Sequence, residues 1–274
     1  MASGVMFFDI SAVMYLAAFL VLIVGGVVRR TWIERIGTGL TATALVAQSI
    51  GLVLRGITLG GFPVTNTYES LVFYAWVFAF GYFVLLASGV LAGRLRSSIG
   101  TGVVLGAALC MALAGSPLRA PNVQPLVPAL RSYWLALHVS LVFVGEGFFT
   151  AAFIAGILYL LNSRGRRPSD SEHLERLDTL AYRAIAIGFP FFTLGGLFFG
   201  AVWAKHAWGR YWGWDPKETF MLVTWLVYVL YLHVRVQQHW RGRRTAWIAV
   251  LGFLMALFTF AGVNFLIRGL HSYG

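Results

Sequence analysis

Charge is what this sequence has least of. Only 11% of its 274 residues are Asp, Glu, Lys or Arg, where a soluble domain carries about 25%. Acids are the scarcer sign, ten against 21 Lys and Arg. With 59% hydrophobic residues and a mean hydropathy of +0.77, this composition excludes a soluble globular domain. Cysteine is nearly absent. Cys110 stands alone, so the chain closes no internal disulfide, and without CxxC or CxxCH it is neither a thiol reductant nor a c-type cytochrome. Cys110 lies in an apolar segment and reads as a small buried hydrophobe. Strict polar–apolar alternation is missing too, which excludes a membrane β-barrel.

Long apolar runs are what remains. A bilayer core of ~30 Å needs about 20 apolar residues per helix. Eight segments qualify, roughly 5–28, 36–57, 71–92, 98–115, 135–161, 182–203, 219–237 and 246–268. The reading is an all-α polytopic membrane protein, a single domain over residues 1–274 without internal repeats. The first segment is no signal peptide, because it lacks a basic start, carries Asp9 early and runs too long. The net charge of +11 follows the membrane and not a nucleic acid. Fourteen arginines fall in connections on one side, within 29–35, 94–96, 164–183 and 235–244, and seven basic residues fall on the other. The positive-inside rule puts the first set in the cytoplasm and both termini outside.

Connections carry their own signals. Residues 116–134 hold four of the eight prolines, which suits an extended outer loop. Residues 169–183 carry Leu174, Leu177 and Leu180 at a spacing of three, the pattern of a short amphipathic helix lying at the cytoplasmic interface. Asn66 with Glu69 reads as a helix start. Asp215, Pro216 and Glu218 read as a capping box with proline at the first helical position.

The stretch WGRYWGWDPKET (208–219) stands out. With Trp203 just upstream, twelve positions hold four of the ten tryptophans, and Tyr211 lies among them. Two readings stay open. Tryptophan favours membrane interfaces, and Trp32, Trp76, Trp134, Trp240 and Trp247 suit such a belt. Trp208 and Trp212 instead fall in a glycine-containing connection, where a flat platform for a planar ligand is the alternative. Lys205, Arg210 and Lys217 edge that platform, which suits a porphyrin with carboxylates.

Six histidines are present. His173 and His239 fall in cytoplasmic connections, and His206 in the outer loop has no evident partner. His138 opens the fifth span and His271 follows the eighth, both at the outer level of the tryptophans. They are axial-ligand candidates or simply interfacial histidines bonded to water. His233 lies about 21 Å down the seventh span, in the inner part of the membrane, where ionisable groups are functional candidates. Glu146 is a second such group, and Arg55 is a partner open to it.

These residues resemble the CcsA (ResC) family, the system II cytochrome c synthase subunits of the haem-handling superfamily. The resemblance is carried by GFPFFTLGGLFFGAVWAKHAWGRYWGWDPKETFMLVTWLVYVLYLH (188–233), with the family's WWD motif at its core. FPVTNTYESLVF (62–73), LHVS (137–140), LDTLAYR (177–183) and GVNFLIRGLHSYG (262–274) add to it. The resemblance implies a haem-binding outer loop at about 203–218, with Trp203, Trp208, Arg210, Tyr211, Trp212, Trp214 and Asp215 around haem b. It implies His138 and His271 as ligands of the outer haem iron, taking part in the synthase reaction, and His233 as the ligand of haem in transit. Its implied reaction is thioether attachment of haem to the CxxCH of an apocytochrome c, with a CcsB/ResB-type membrane subunit as partner and thiol-reducing proteins as further ones. The implied site is a bacterial plasma membrane, with the thylakoid as the alternative. Competing readings are a CcmC-like haem exporter feeding a chaperone, a b-type electron-transfer cytochrome, and a scaffold without cofactor.

Overall fold

A computed structural model describes residues 4–91, 93–116, 132–165 and 171–263. Among the described residues every regular element is helical. The elements are α1 (Val5–Val28), α2 (Thr31–Leu59), α3 (Thr67–Ala87), α4 (Arg94–Ala114), α5 (Tyr133–Asn162), α6 (Ser171–Phe192), α7 (Gly200–Trp208), α8 (Pro216–Val236) and α9 (Arg243–Leu257). Seven residues of π-helix, Thr193–Phe199, join α6 to α7 without a break, and five more, Phe258–Gly262, extend α9. Among the described residues eight spans are long and apolar enough to cross a membrane, with Ser171–Trp208 counting as one. The protein is an integral membrane protein. Most spans begin a few residues earlier than hydropathy alone suggests, because polar capping turns precede the apolar runs. The 116–134 loop lies largely outside the described residues, as do Arg166, Arg167, Arg268 and His271.

The helices group into two compact units, Met1–Tyr133 and Trp134–Gly274. In the first, α1 lies along α2, α3 along α4, and α1 also meets α4. Apolar association between helices is weak in lipid, so close backbone approach and hydrogen bonds decide packing. Gly51 lets α2 approach α1; a Cβ there would lie 2.6 Å from the Phe8 ring. Gln48 ties three helices. It accepts from the Tyr15 hydroxyl at 2.7 Å and donates to the Val72 carbonyl at 2.8 Å. Trp76 is not a belt residue. It sits mid-helix, stacked between Phe73 and Phe80, and donates to Ser49 Oγ at 2.7 Å.

Asn66 caps α3 by accepting from the Glu69 N–H at 2.8 Å. The Glu69 carboxylate accepts from Thr65 N–H at 2.9 Å and Thr65 Oγ1 at 2.7 Å, and its other oxygen receives Arg55 at 3.0 Å. Arg55 and Glu69 are both fully buried. The acid paired with Arg55 is therefore Glu69, not Glu146: capping places a carboxylate at the start of α3, within reach of the last turns of α2.

In the second unit, α8 packs on α9 and on α6. Tyr228 stacks on Phe149 with ring centroids 3.7 Å apart, and Thr224 meets Thr259 at 3.1 Å. The amphipathic segment expected to lie at the interface is instead the first half of α6. Leu174, Leu177 and Leu180 are buried in protein, because Asp178 beside them anchors the α8–α9 turn. It accepts from Gly242 N–H at 2.9 Å and pairs with Arg235 at 2.6 Å.

Candidate functional site

The site grows from a helical irregularity. Pro190 removes one backbone donor inside α6, and three residues later the chain widens to π geometry. π-segments often mark functional sites, because their carbonyls are offset from the regular ladder. Gly195 and Gly200 then allow close approach. A Cβ on Gly195 would lie 2.5 Å from Val142 N of α5, and one on Gly200 would lie 3.1 Å from the His138 ring. This contact sets His138. Its Nδ1 lies 2.8 Å from the Gly195 carbonyl oxygen. A carbonyl only accepts, so Nδ1 carries the proton and, in the neutral ring, Nε2 keeps the lone pair. Metal-binding imidazoles are commonly oriented by such a partner. The His138 ring lies parallel to Trp203, 5° apart in orientation, with centroids at 5.9 Å.

His138, Trp203, Tyr211, Trp212, Lys217, Glu218 and Met221 line a narrow cleft of about 400 Å³, counting its open mouth. The tryptophans are graded and not uniformly exposed. Trp203 is buried in α7 and meets Trp208 edge-on at 4.8 Å. Trp208 is the last residue of α7, not a loop residue, and is half-buried. Trp212 is half-buried and meets Trp214 edge-on at 5.8 Å, while Trp214 is 69% exposed. Trp214 also has φ 56°, a region that bulky side chains rarely enter and that costs on the order of 1–3 kcal/mol. Glu218 holds it there. One carboxylate oxygen accepts from the N–H groups on both sides of Trp214, Gly213 at 2.7 Å and Asp215 at 3.2 Å. The expected capping box is present, with Asp215 accepting from Lys217 N–H at 3.2 Å.

The cationic edge is smaller than expected. Lys205 donates to the Gly209 carbonyl at 2.8 Å and lies over the Tyr211 ring. Arg210 packs against Gly213, where a Cβ would lie 2.7 Å from its Nε. Of the three cations, Lys217 is the one lining the cleft. Glu146, buried in α5, and Asp215 lie within electrostatic reach of it. His206, left unassigned by sequence, stacks on Trp134 at 6.1 Å. His233 is far from the cleft, in the last turn of α8, exposed on the helix surface. His271 lies outside the described residues.

Comparison with known proteins decides the family. Residues 64–271 match the Cytochrome C assembly protein family. A cytochrome c biogenesis protein CcsA of Guillardia theta is 39% identical over 263 residues, covering 87% of this chain and 85% of the relative. The chain belongs to the CcsA family. CcsA proteins of Chlamydomonas reinhardtii, 40% identical over 88% of this chain and 68% of the relative, and of Synechococcus sp. (strain CC9902), 39% identical over 86% and 85%, agree. The structure resembles a cytochrome c haem lyase CcmF with TM-score 0.72 over 94% of this chain; at 16% identity this likeness is one of fold, and the chain spans 46% of that protein. This CcsA-family chain is thus an integral membrane protein of cytochrome c biogenesis.

An imidazole oriented through Nδ1, indole faces beside it and a cation within the cleft fit an iron porphyrin with carboxylates. The contact area comes from aromatic faces and not from an enclosed cavity. Sequence reading missed the π-segment, the Gly195 carbonyl and the second bond of Glu218, to Gly213 N–H. The glycine run in LGGLFFG (194–200) was the available signal for close approach.

Proposed function

We propose that this protein carries haem across the membrane and presents it at the tryptophan-lined cleft for attachment to the CxxCH of an apocytochrome c. Haem is cargo here, in the b form before attachment. The observation that supports the reading most directly is the His138 Nδ1–Gly195 bond, which leaves Nε2 as the coordinating atom beside Trp203. His138 and His271 are the residues that would hold the haem iron. Trp212, Trp214 and Tyr211 offer faces to the ring, Trp203 lies along His138 with Trp208 against it, and Lys217 receives a carboxylate. Arg210 and Asp215 act through the loop, the first by packing under Gly213 and the second by capping α8.

Bound haem supplies the two vinyl groups across which cysteine S–H adds, sulfur to one carbon and hydrogen to the other. The chain contributes proximity, orientation and the choice of face. The cleft end faces the outer side and the arginine-rich turns face the cytoplasm, with both termini outside. His233 is the station on the inner side. Its exposed position on α8 leaves room for a histidine-bearing helix of a CcsB/ResB-type subunit, which completes a six-coordinate haem and makes the pair a holocytochrome c synthase.

The decisive experiment is the visible spectrum of the purified complex. His138→Ala loses the bis-histidine signature of the outer haem, and added imidazole restores part of it. Wild-type spectra and undiminished covalent haem attachment in His138→Ala and His271→Ala would overturn the assignment.

A further inference from the structure

At the end of the second unit opposite the cleft, the α8–α9 turn builds a second pocket. Tyr159, Trp240, Arg241, Gly242, Arg243 and Arg244 line about 620 Å³, counting the space open to the surroundings. Three arginines in four positions repel one another unless something compels the arrangement. Buried Asp178 does. One of its oxygens accepts from Gly242 N–H at 2.9 Å and Thr245 Oγ1 at 3.2 Å, and the other takes Arg235 at 2.6 Å. Arg235 donates to the Trp240 carbonyl at 3.0 Å, and Trp240 N–H donates to Val234 at 3.0 Å. The turn is tied at each of these points, and the carboxylate holding it is spent on Arg235. Arg241, Arg243 and Arg244 are exposed, and among the described residues none has an acid within salt-bridge distance. Arg244 lies over the Trp240 ring at 5.2 Å.

We propose that this pocket binds the phosphate headgroup of an anionic membrane lipid. Guanidinium groups match phosphate oxygens with paired donors. Basic pockets at the ends of membrane helices take such headgroups. The aromatic lining decides between lipid and free phosphate. Trp240 stands where two spans, α8 and α9, leave the membrane, the level that aromatic rings share with acyl chains and glycerol, and Tyr159 of α5 is buried beside Gly242. Inorganic phosphate gains nothing from them. The proposal does not depend on the haem reading.

The test is lipid retention by the full chain purified in neutral detergent, measured by mass spectrometry after exposure to equal phosphatidylglycerol and phosphatidylcholine. Wild type retains phosphatidylglycerol selectively. Retention falls about fivefold per arginine removed, so the Arg241→Gln/Arg243→Gln/Arg244→Gln variant loses it. A control variant with Arg29→Gln, Arg30→Gln and Arg35→Gln, three exposed arginines of the first unit, keeps it. If the triple variant folds poorly, Arg243→Gln alone carries the test, read as the same fivefold drop. Three results would overturn the proposal: wild-type retention in the pocket variants, an equal loss in the control, or displacement of the lipid by equimolar inorganic phosphate or by a dicarboxylate porphyrin. Displacement by either anion would reassign the pocket to that anion.

Discussion

Replacing Gly200 by alanine separates the stability of the second unit from the competence of its cleft. Gly200 has φ −60° and is helical, so alanine fits the backbone and gains up to ~1 kcal/mol of helix propensity. The new Cβ meets His138 Cε1 and Nδ1 at 3.1 Å, inside ordinary van der Waals contact. The ring must turn or slide, and its 2.8 Å bond to Gly195 lengthens. That bond contributes about 0.5–1.5 kcal/mol. The two terms nearly cancel in folding, so the denaturation midpoint in detergent stays within a few degrees of wild type. They do not cancel at the site, because the lost bond is the one that orients Nε2. Haem content, read from the visible spectrum, falls about twofold to twelvefold, the ratio that about 0.5–1.5 kcal/mol supports. Gly195→Ala is the contrast. Its Cβ meets backbone, Val142 N at 2.5 Å, which cannot rotate away, and such overpacking costs about 1–3 kcal/mol in stability. A Gly200→Ala protein with the full wild-type haem content, or a Gly195→Ala protein as stable as wild type, would refute the argument.

Four further outcomes follow from the geometry. Glu218→Ala frees the N–H groups flanking Trp214, so Trp214 leaves its left-handed conformation and haem retention drops; a haem titration on protein that remains monodisperse checks this. Trp214→Ala leaves stability within about 0.5 kcal/mol, as expected for an exposed position, whereas Trp203→Ala costs about 3–5 kcal/mol as a buried aromatic; denaturant melts of both variants distinguish them, so only the first reports cleanly on ligand binding. Glu69→Ala strands the buried Arg55 charge and costs about 3–5 kcal/mol, while Arg55→Met/Glu69→Leu recovers much of that loss; thermal melts of the single and double variants test it. His233→Ala leaves the melt of the isolated chain unchanged, because the ring is exposed, but under the proposed function removes one haem signal from a complex with a CcsB/ResB-type subunit; an unchanged spectrum of that complex would count against the inner station.

The spans and caps were legible because length, apolarity and side-chain chemistry are local properties. Asp215, Pro216 and Glu218 announce a helix start wherever they fall, and α8 begins there. Exposure was not legible. Trp203 and Trp214 look alike in a motif, yet one faces the inside of a helix pair and the other stands outward on a strained residue. The leucine stripe of α6 misled for the same reason. A 3.6-residue period says that one face is apolar, and it is silent on whether lipid or protein covers that face. By sequence Arg55 was matched with Glu146, and only the fold placed Glu69 at its side.

The π-segment between α6 and α7 has a consequence for chain length. Seven residues with wider turns amount to one residue inserted into a continuous helix. Removing any one of residues 193–199 leaves a span still apolar and still long enough to cross a bilayer. It also returns the chain to α register, turning everything beyond it by about 100° and drawing it in by about 1.5 Å. Trp203 would then rotate off the His138 ring although neither residue had changed. The spacing between Pro190 and Trp203 is thus as much a determinant of the cleft as the identity of any side chain in it, and an indel here is a different kind of lesion from a substitution.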